Sequence, residues 1–236
     1  RLSCRPRASR RTVCSNGRPD KTIQRTDTRA SVTPKTPKLL VLDLDETLVH
    51  ATETPLAHPE DFRVGPYHVY LRPHLADFLQ QVFAHFEVGV WTASGETYAG
   101  EIVSRIFPQD KLAFVWSSAR CTTTRDWVTG GYQPVKNLQK LKSRGYPLAS
   151  IIAVDDTPAK YARSYGNLVT VREFLGERDD AELPLLARYL ATLADIPNVR
   201  SVEKRRWRER LASDAAHGAP PTPDSLHQGA PHSGSA

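Results

Sequence analysis

Residues Lys38 to His50 read KLLVLDLDETLVH, and the architecture of the chain follows from this run. Lys38 to Leu42 form a largely apolar strand candidate that stops at two carboxylates, Asp43 and Asp45, with Thr47 two positions further on. A short apolar run bounded by polar residues suits a strand buried on both faces, as in a parallel α/β sheet. In such sheets ligands sit in the crevice beyond the carboxyl ends of the strands. Strand side chains repeat with period two, so Asp43 and Asp45 can both point into one site. Carboxylates so close repel each other, and a cation between them removes the repulsion.

Phosphoryl transfer to an aspartate fits these groups. A carboxylate can attack phosphorus and hold it as an acyl phosphate, dividing one hard displacement into two easier ones. A second acid can then protonate the leaving oxygen, and Mg²⁺ can neutralise the phosphate oxygens. The plainer reading is a strand followed by an acidic turn in which Asp45 or Thr47 caps a helix. The spacing of the two aspartates alone leaves both readings open.

Other segments repeat the pattern of an apolar strand ending in polar groups. Phe86–Trp91 runs into Thr92, Ala93 and Ser94, and Ser150–Val154 runs into Asp155, Asp156, Thr157 and Pro158. Lys136 lies between them in PVKNLQKLKSRGY, ahead of a helical pattern carrying Leu138 and Leu141. A cation at a helix start is disfavoured by the macrodipole, so a neighbouring anion would explain its placement. Taken singly, each has a bland alternative: a turn hydroxyl at Thr92, a solvated Lys136, a helix start at Asp155-Asp156.

In order, D-x-D-x-T, Thr, Lys and Asp-Asp resemble the four motifs of the haloacid dehalogenase superfamily. DLDETL, LRPHLADFL, VWTAS, VKNLQKL and VDDTP resemble more closely the small C-terminal-domain phosphatases, the NLI-interacting-factor-like group, over about Lys38 to Ile196. The resemblance implies Asp43 as nucleophile and Mg²⁺ ligand, and Asp45 as general acid/base lending its backbone carbonyl to the metal. It further implies that Thr92 and Lys136 hold the phosphoryl group, and that Asp156 is a metal ligand supported by Asp155. Two departures stand out. Ser118 occupies a place where the family often carries a substrate-binding arginine, with Arg120 the nearest one. Asp156 stands where Asn is frequent, and its extra charge should favour metal while making the site more anionic.

The expected fold is α/β, a three-layer Rossmann-like parallel sheet with helices on both faces and no large cap domain. Strands are expected at Lys38–Leu42, Tyr67–Leu71, Phe86–Trp91, Leu112–Trp116, Ser150–Val154 and Leu168–Val171. Helices are expected near Leu75–His85, Glu96–Ile106, after Asn137, from Pro158 and over Ala181–Ala194, with a flap at Val49–Pro66. Trp91, Trp116, Phe78, Phe83 and Phe86 read as core.

Three segments follow from composition: residues 1–37 a disordered basic tail, 38–200 the phosphatase-like domain, and 201–236 a basic helix candidate, read as solvated, with a disordered tail. Residues 1–37 hold ten basic and two acidic side chains, 38–200 hold 17 and 20, and 201–236 five and four, so the net +6 belongs to the N-terminal segment. A basic nucleic-acid-binding face is therefore not expected. No apolar run reaches the roughly 18 residues of a membrane span. The three cysteines form no C-x-x-C, and the eight histidines show no zinc spacing. A cysteine count this sparse fits a reducing compartment, and the cytoplasm is expected ahead of an organelle, although the Arg/Ser-rich start faintly resembles a transit peptide. The chain contains no Met, which suggests a fragment or a frame extended upstream.

The expected activity is Mg²⁺-dependent hydrolysis of phosphomonoesters through an aspartyl phosphate, on a phosphoserine or phosphothreonine protein, by a monomer. A small-molecule phosphatase is the alternative enzyme, and a receiver-like phosphoacceptor module the alternative from another class. The segments between motifs are too short to fold as a roofing domain, which favours a large substrate.

Overall fold

The computed structural model describes residues 37–108, 110–125 and 130–218. The expected disorder of residues 1–36 and 219–236 lies outside them. The strands are β1 (Lys38–Leu42), β2 (Val49–Thr52), β3 (Phe62–Val64), β4 (Tyr67–Leu71), β5 (Phe86–Trp91), β6 (Leu112–Trp116), β7 (Thr122–Arg125), β8 (Tyr132–Val135), β9 (Ile151–Asp155) and β10 (Leu168–Thr170). The helices are α1 (Leu75–His85), α2 (Glu96–Ile106), α3 (Glu182–Leu193) and α4 (Trp207–Gly218).

Five strands form the central parallel sheet in the order β10-β9-β1-β5-β6. β1 is central: Leu40 pairs in register with Val88 on one side and Ile152 on the other. The chain runs outward from β1 to β5 and β6, then crosses back to place β9 on the opposite side. The order therefore reverses at β1/β9, which opens a crevice at their carboxyl ends.

The alternation along β1 builds two cores. Leu40 and Leu42 join one cluster with α1, α2 and α3 through Phe78, Ile102 and Leu186, whereas Leu39 and Val41 join Trp91, Trp116, Leu138, Leu141 and Tyr161 on the other face. Each of these buried leucines contributes about 1.5–3 kcal/mol by leaving water. The second face is covered by short 3-10 segments rather than α-helices, at Leu138–Arg144 and Pro158–Tyr161. The first stops after seven residues because Gly145, at φ 92°, takes the left-handed conformation that ends a helix.

Tyr67–Leu71 forms a strand but does not enter the parallel sheet. It is the centre of a separate antiparallel sheet, β2-β4-β3, so the expected flap is a folded unit. The β3–β4 turn is Gly65-Pro66, with Gly65 at φ 55°, the first-position glycine of a two-residue hairpin. β7 and β8 form a second antiparallel hairpin.

The basic C-terminal helix forms, but it is not solvated all round. Trp207 is fully buried, stacks on Tyr189 and donates from Nε1 to the Thr170 carbonyl at 2.9 Å. Arg208 pairs with the buried Glu182 of α3. Charged residues surround Trp207 in the sequence, and Trp207 and Leu211, one turn apart, are both buried. No helix among the described residues is long and apolar enough to cross a membrane.

Candidate active site

Asp43 follows β1 directly, and its N–H extends the ladder to Val154 O at 3.0 Å. This seats a carboxylate that is almost wholly buried between the ends of β5 and β9. Lys136 Nζ lies 2.8 Å from Asp43 Oδ1 and 2.5 Å from Asp155 Oδ2, with all three side chains buried. Lys160 Nζ lies 2.8 Å from Asp43 Oδ2, 3.4 Å from Asp155 Oδ1 and 3.7 Å from Asp156 Oδ1. Burial alone would raise the Asp43 carboxyl, but the two ammoniums outweigh it and hold the group below the usual carboxylate range. Burial and the charge on Asp43 push Asp155 the other way. The two ammoniums thus favour the charged form of Asp43, the form a nucleophile needs.

Asp45 faces a different set of partners. Its Oδ2 accepts from Ser94 Oγ at 2.6 Å and Thr92 Oγ1 at 3.2 Å, and its Oδ1 accepts from Tyr98 Oη at 2.6 Å. Thr92 continues β5, its N–H bonded to Trp116 O, and its hydroxyl also accepts from Ser94 N at 3.0 Å. The loop between the two aspartates and β2 is turned by Glu46 at φ 57°. Burial, with the charges of Asp45 and Asp156, raises the Glu46 carboxyl to about 7.

Arg72, in the LRPHL segment, fixes this loop from behind. Its guanidinium is buried, donates to both oxygens of Asp180 (2.9 and 2.8 Å) and reaches Thr47 O at 2.9 Å. Thr47 Oγ1 in turn donates to Asp156 Oδ1 at 3.3 Å, and Thr157 caps both acids, N–H to Asp155 Oδ1 and hydroxyl to Asp156 Oδ2.

All six residues expected from the sequence therefore converge at the carboxyl ends of β1, β5 and β9. Lys136 sits just ahead of a 3-10 turn capped by Asn137, and its anions are the acids of the site. Ser94, Tyr98, Arg72 and Lys160 were not among the expected site residues. Lys160 had one sequence signal, its position four residues after Asp156 in DDTPAK.

Asp43, Asp155 and Asp156 bring carboxylate oxygens within 4.8 Å of one another. An all-oxygen donor set suits a hard divalent cation such as Mg²⁺, and the Lys160 ammonium among the same three groups shows that a cation is accommodated there. The Asp45 carboxylate is not part of this set. Beside Asp45 a cleft of about 380 Å³ opens between Ala51 and Tyr67 of the antiparallel sheet and Ser94, Gly95 and Tyr98. Larger hollows of about 550 and 650 Å³ lie elsewhere and include none of the four aspartates.

A parallel sheet with paired aspartates and a threonine at its strand ends, and a lysine brought against the aspartates, is an arrangement suited to phosphoryl transfer. Residues 38–200 match the NLI interacting factor-like phosphatase family, and the chain belongs to it. It is 32% identical over 172 residues to CTD small phosphatase-like protein 2 of Dictyostelium discoideum, covering 70% of this chain and 29% of that protein. It is 31% identical over 173 residues to human carboxy-terminal domain RNA polymerase II polypeptide A small phosphatase 1, covering 69% and 62%. The chain spans 29%, 53% and 46% of three curated relatives it matches. The fission yeast RNA polymerase II CTD phosphatase Fcp1 aligns with a TM-score of 0.45 at 20% identity, over 77% of this chain and 57% of that one.

Proposed function

We propose that the chain is a phosphomonoester hydrolase working through a phosphoryl group held on Asp43, with a phosphoserine or phosphothreonine protein as substrate. The observation that carries this reading is the buried Asp43 carboxylate clamped by Lys136 and Lys160 beside an independently anchored Asp45. Asp43 attacks phosphorus, and Asp45 gives a proton to the departing serine or threonine oxygen. Asp45 then takes a proton from water as that water attacks the phosphoryl-aspartate, releasing phosphate and restoring Asp43. Thr92 and Lys136 stand where the phosphoryl oxygens arrive. Asp43 and Asp156, with Asp155 behind them and the Asp45 carbonyl, would hold Mg²⁺, whose charge neutralises those oxygens.

The open cleft supports a large substrate. Small metabolites are usually buried in a cavity, whereas this hollow is bounded by a three-stranded flap and the start of α2 and suits a side chain projecting from a protein. Arg120 is exposed, its guanidinium lying over Trp116 at 5.4 Å, and Arg125 is exposed on β7. These two arginines form the recognition edge in this reading. Assays across phosphopeptides, phosphometabolites and a generic aryl phosphate test it. Arg120→Ala or Arg125→Ala should weaken phosphopeptide turnover and spare the aryl phosphate; a metabolite processed faster than every phosphopeptide would contradict the protein substrate. The activity belongs in a reducing compartment such as the cytoplasm, and a monomer is the working unit.

A further inference from the structure

Two ammonium groups serve the three clustered carboxylates, and they are not equivalent. Lys136 is enclosed: its side chain is fully buried and its backbone N–H is bonded to Lys160 O at 2.8 Å. Its ammonium joins Asp43 Oδ1 to Asp155 Oδ2. Lys160 stands on the four-residue 3-10 turn Pro158–Tyr161, with 18% of its side chain exposed. Its ammonium takes the other oxygen of each of those acids and adds Asp156 Oδ1.

The groups that Lys160 touches are the same three aspartates that would ligate a divalent ion. Magnesium–oxygen distances are about 2.0–2.1 Å, so an ion on these oxygens would lie almost on top of the ammonium. Charge leads to the same exclusion. With all three carboxylates charged, as metal ligands would be, the two ammoniums leave one negative charge. Lys136 together with a divalent ion brings the cluster to neutrality, while keeping Lys160 as well would leave a buried positive charge, which is costly.

We propose that Lys160 is a tethered counter-ion, an alternative occupant of the divalent-cation position that must swing outward before Mg²⁺ can bind. The proposal rests on the divalent-cation reading above. Lys136 stays in place in both states because its stem is packed into the core, and Lys160 moves because its stem meets solvent. The chain thereby keeps its acid cluster neutralised without metal, at the expense of metal affinity.

Magnesium titration of chelator-treated protein, followed by calorimetry without substrate, tests this. Lys160→Gln should bind Mg²⁺ roughly tenfold or more tighter than wild type, because a competing charge within a few ångströms is removed. Lys160→Arg keeps the charge and should stay near wild type. In the wild type, labelling by an amine-reactive ester, read by mass spectrometry, should rise at Lys160 when Mg²⁺ is added while Lys136 stays protected. This second measurement decides the matter if Lys160→Gln does not fold. Equal Mg²⁺ affinity in wild type and Lys160→Gln, or Lys160 labelling that ignores Mg²⁺, overturns the counter-ion role and leaves the metal reading standing. Absence of Mg²⁺ binding in both proteins overturns the two together.

Discussion

Tyr98 Oη donates to Asp45 Oδ1 at 2.6 Å, which ties the candidate general acid to the first turn of α2 rather than to its own loop. Burial and the charge on Asp45 push the Tyr98 phenol well above its ordinary range, so it remains a donor. With Ser94 on the second oxygen, both oxygens of the carboxylate are held by side-chain donors.

Removing that donor should be felt in turnover. A hydrogen bond to a charged group contributes about 1.5–3 kcal/mol to stability, so Tyr98→Phe should lower the melting temperature. Because Asp45 loses one of its anchors, kcat should also fall by about tenfold or more. Steady-state kinetics with an aryl phosphate, alongside a melting curve, checks it; unchanged kcat would mean that Ser94 and Thr92 suffice to position Asp45.

Asp45→Asn separates acid catalysis from metal binding. The Asp45 side chain lies outside the three-carboxylate cluster, and loss of general-acid help costs about 10²–10⁴ in rate. Turnover should fall by that order while Mg²⁺ affinity holds. Collapse of Mg²⁺ binding would identify the Asp45 carboxylate as a direct ligand.

Much of this was legible in the chain because the signals are local. β1 is a largely apolar run that ends at candidate site residues, and β5 and β9 repeat the device, so Asp43, Thr92, Asp155 and Asp156 could be placed at strand ends. Lys160 was not legible: a single lysine in a polar turn is solvated by default, and its partner Asp43 is 117 residues away. Arg72 and Asp180 are 108 residues apart and carry no shared spacing. β4 alternates and reads as a sheet strand, but nothing in its own residues says which sheet. Trp207 was misread because its neighbours are charged while its burial is decided by Tyr189 and Thr170.

The Arg72–Asp180 pair should matter to stability more than a surface salt bridge. Its side-chain exposures are 0% and 14%, and removing one member of a buried pair costs about 3–5 kcal/mol. Arg72→Met and Asp180→Asn should each lower stability in urea unfolding by that order, and the double variant by less than their sum. Additive losses would show that the two act separately.

Lys204 supplies a pH signature remote from the acids. Its ammonium donates to the carbonyls of Val199 and Val202, and burial pulls it down to about 8. Between about pH 8 and the ordinary lysine value of about 10.4, the unfolded chain holds a proton that the folded chain has released. Stability from this group therefore rises with pH across that window, and below it the cost of burying the charge is fully present. The stability difference between wild type and Lys204→Met should move in the wild type's favour from pH 8 to 10, read by urea unfolding. A difference independent of pH would show that Lys204 titrates at its ordinary value.

Covalent capture of phosphate by Asp43 is the step on which the account depends. Wild-type protein mixed with a radiolabelled aryl phosphate in Mg²⁺, then quenched in acid within the first turnover, should carry label on the peptide containing Asp43. Asp43→Asn should carry none and turn over no substrate, since an amide is a poor nucleophile. Product released at the wild-type rate with no label on the protein, or turnover retained by Asp43→Asn, would contradict it.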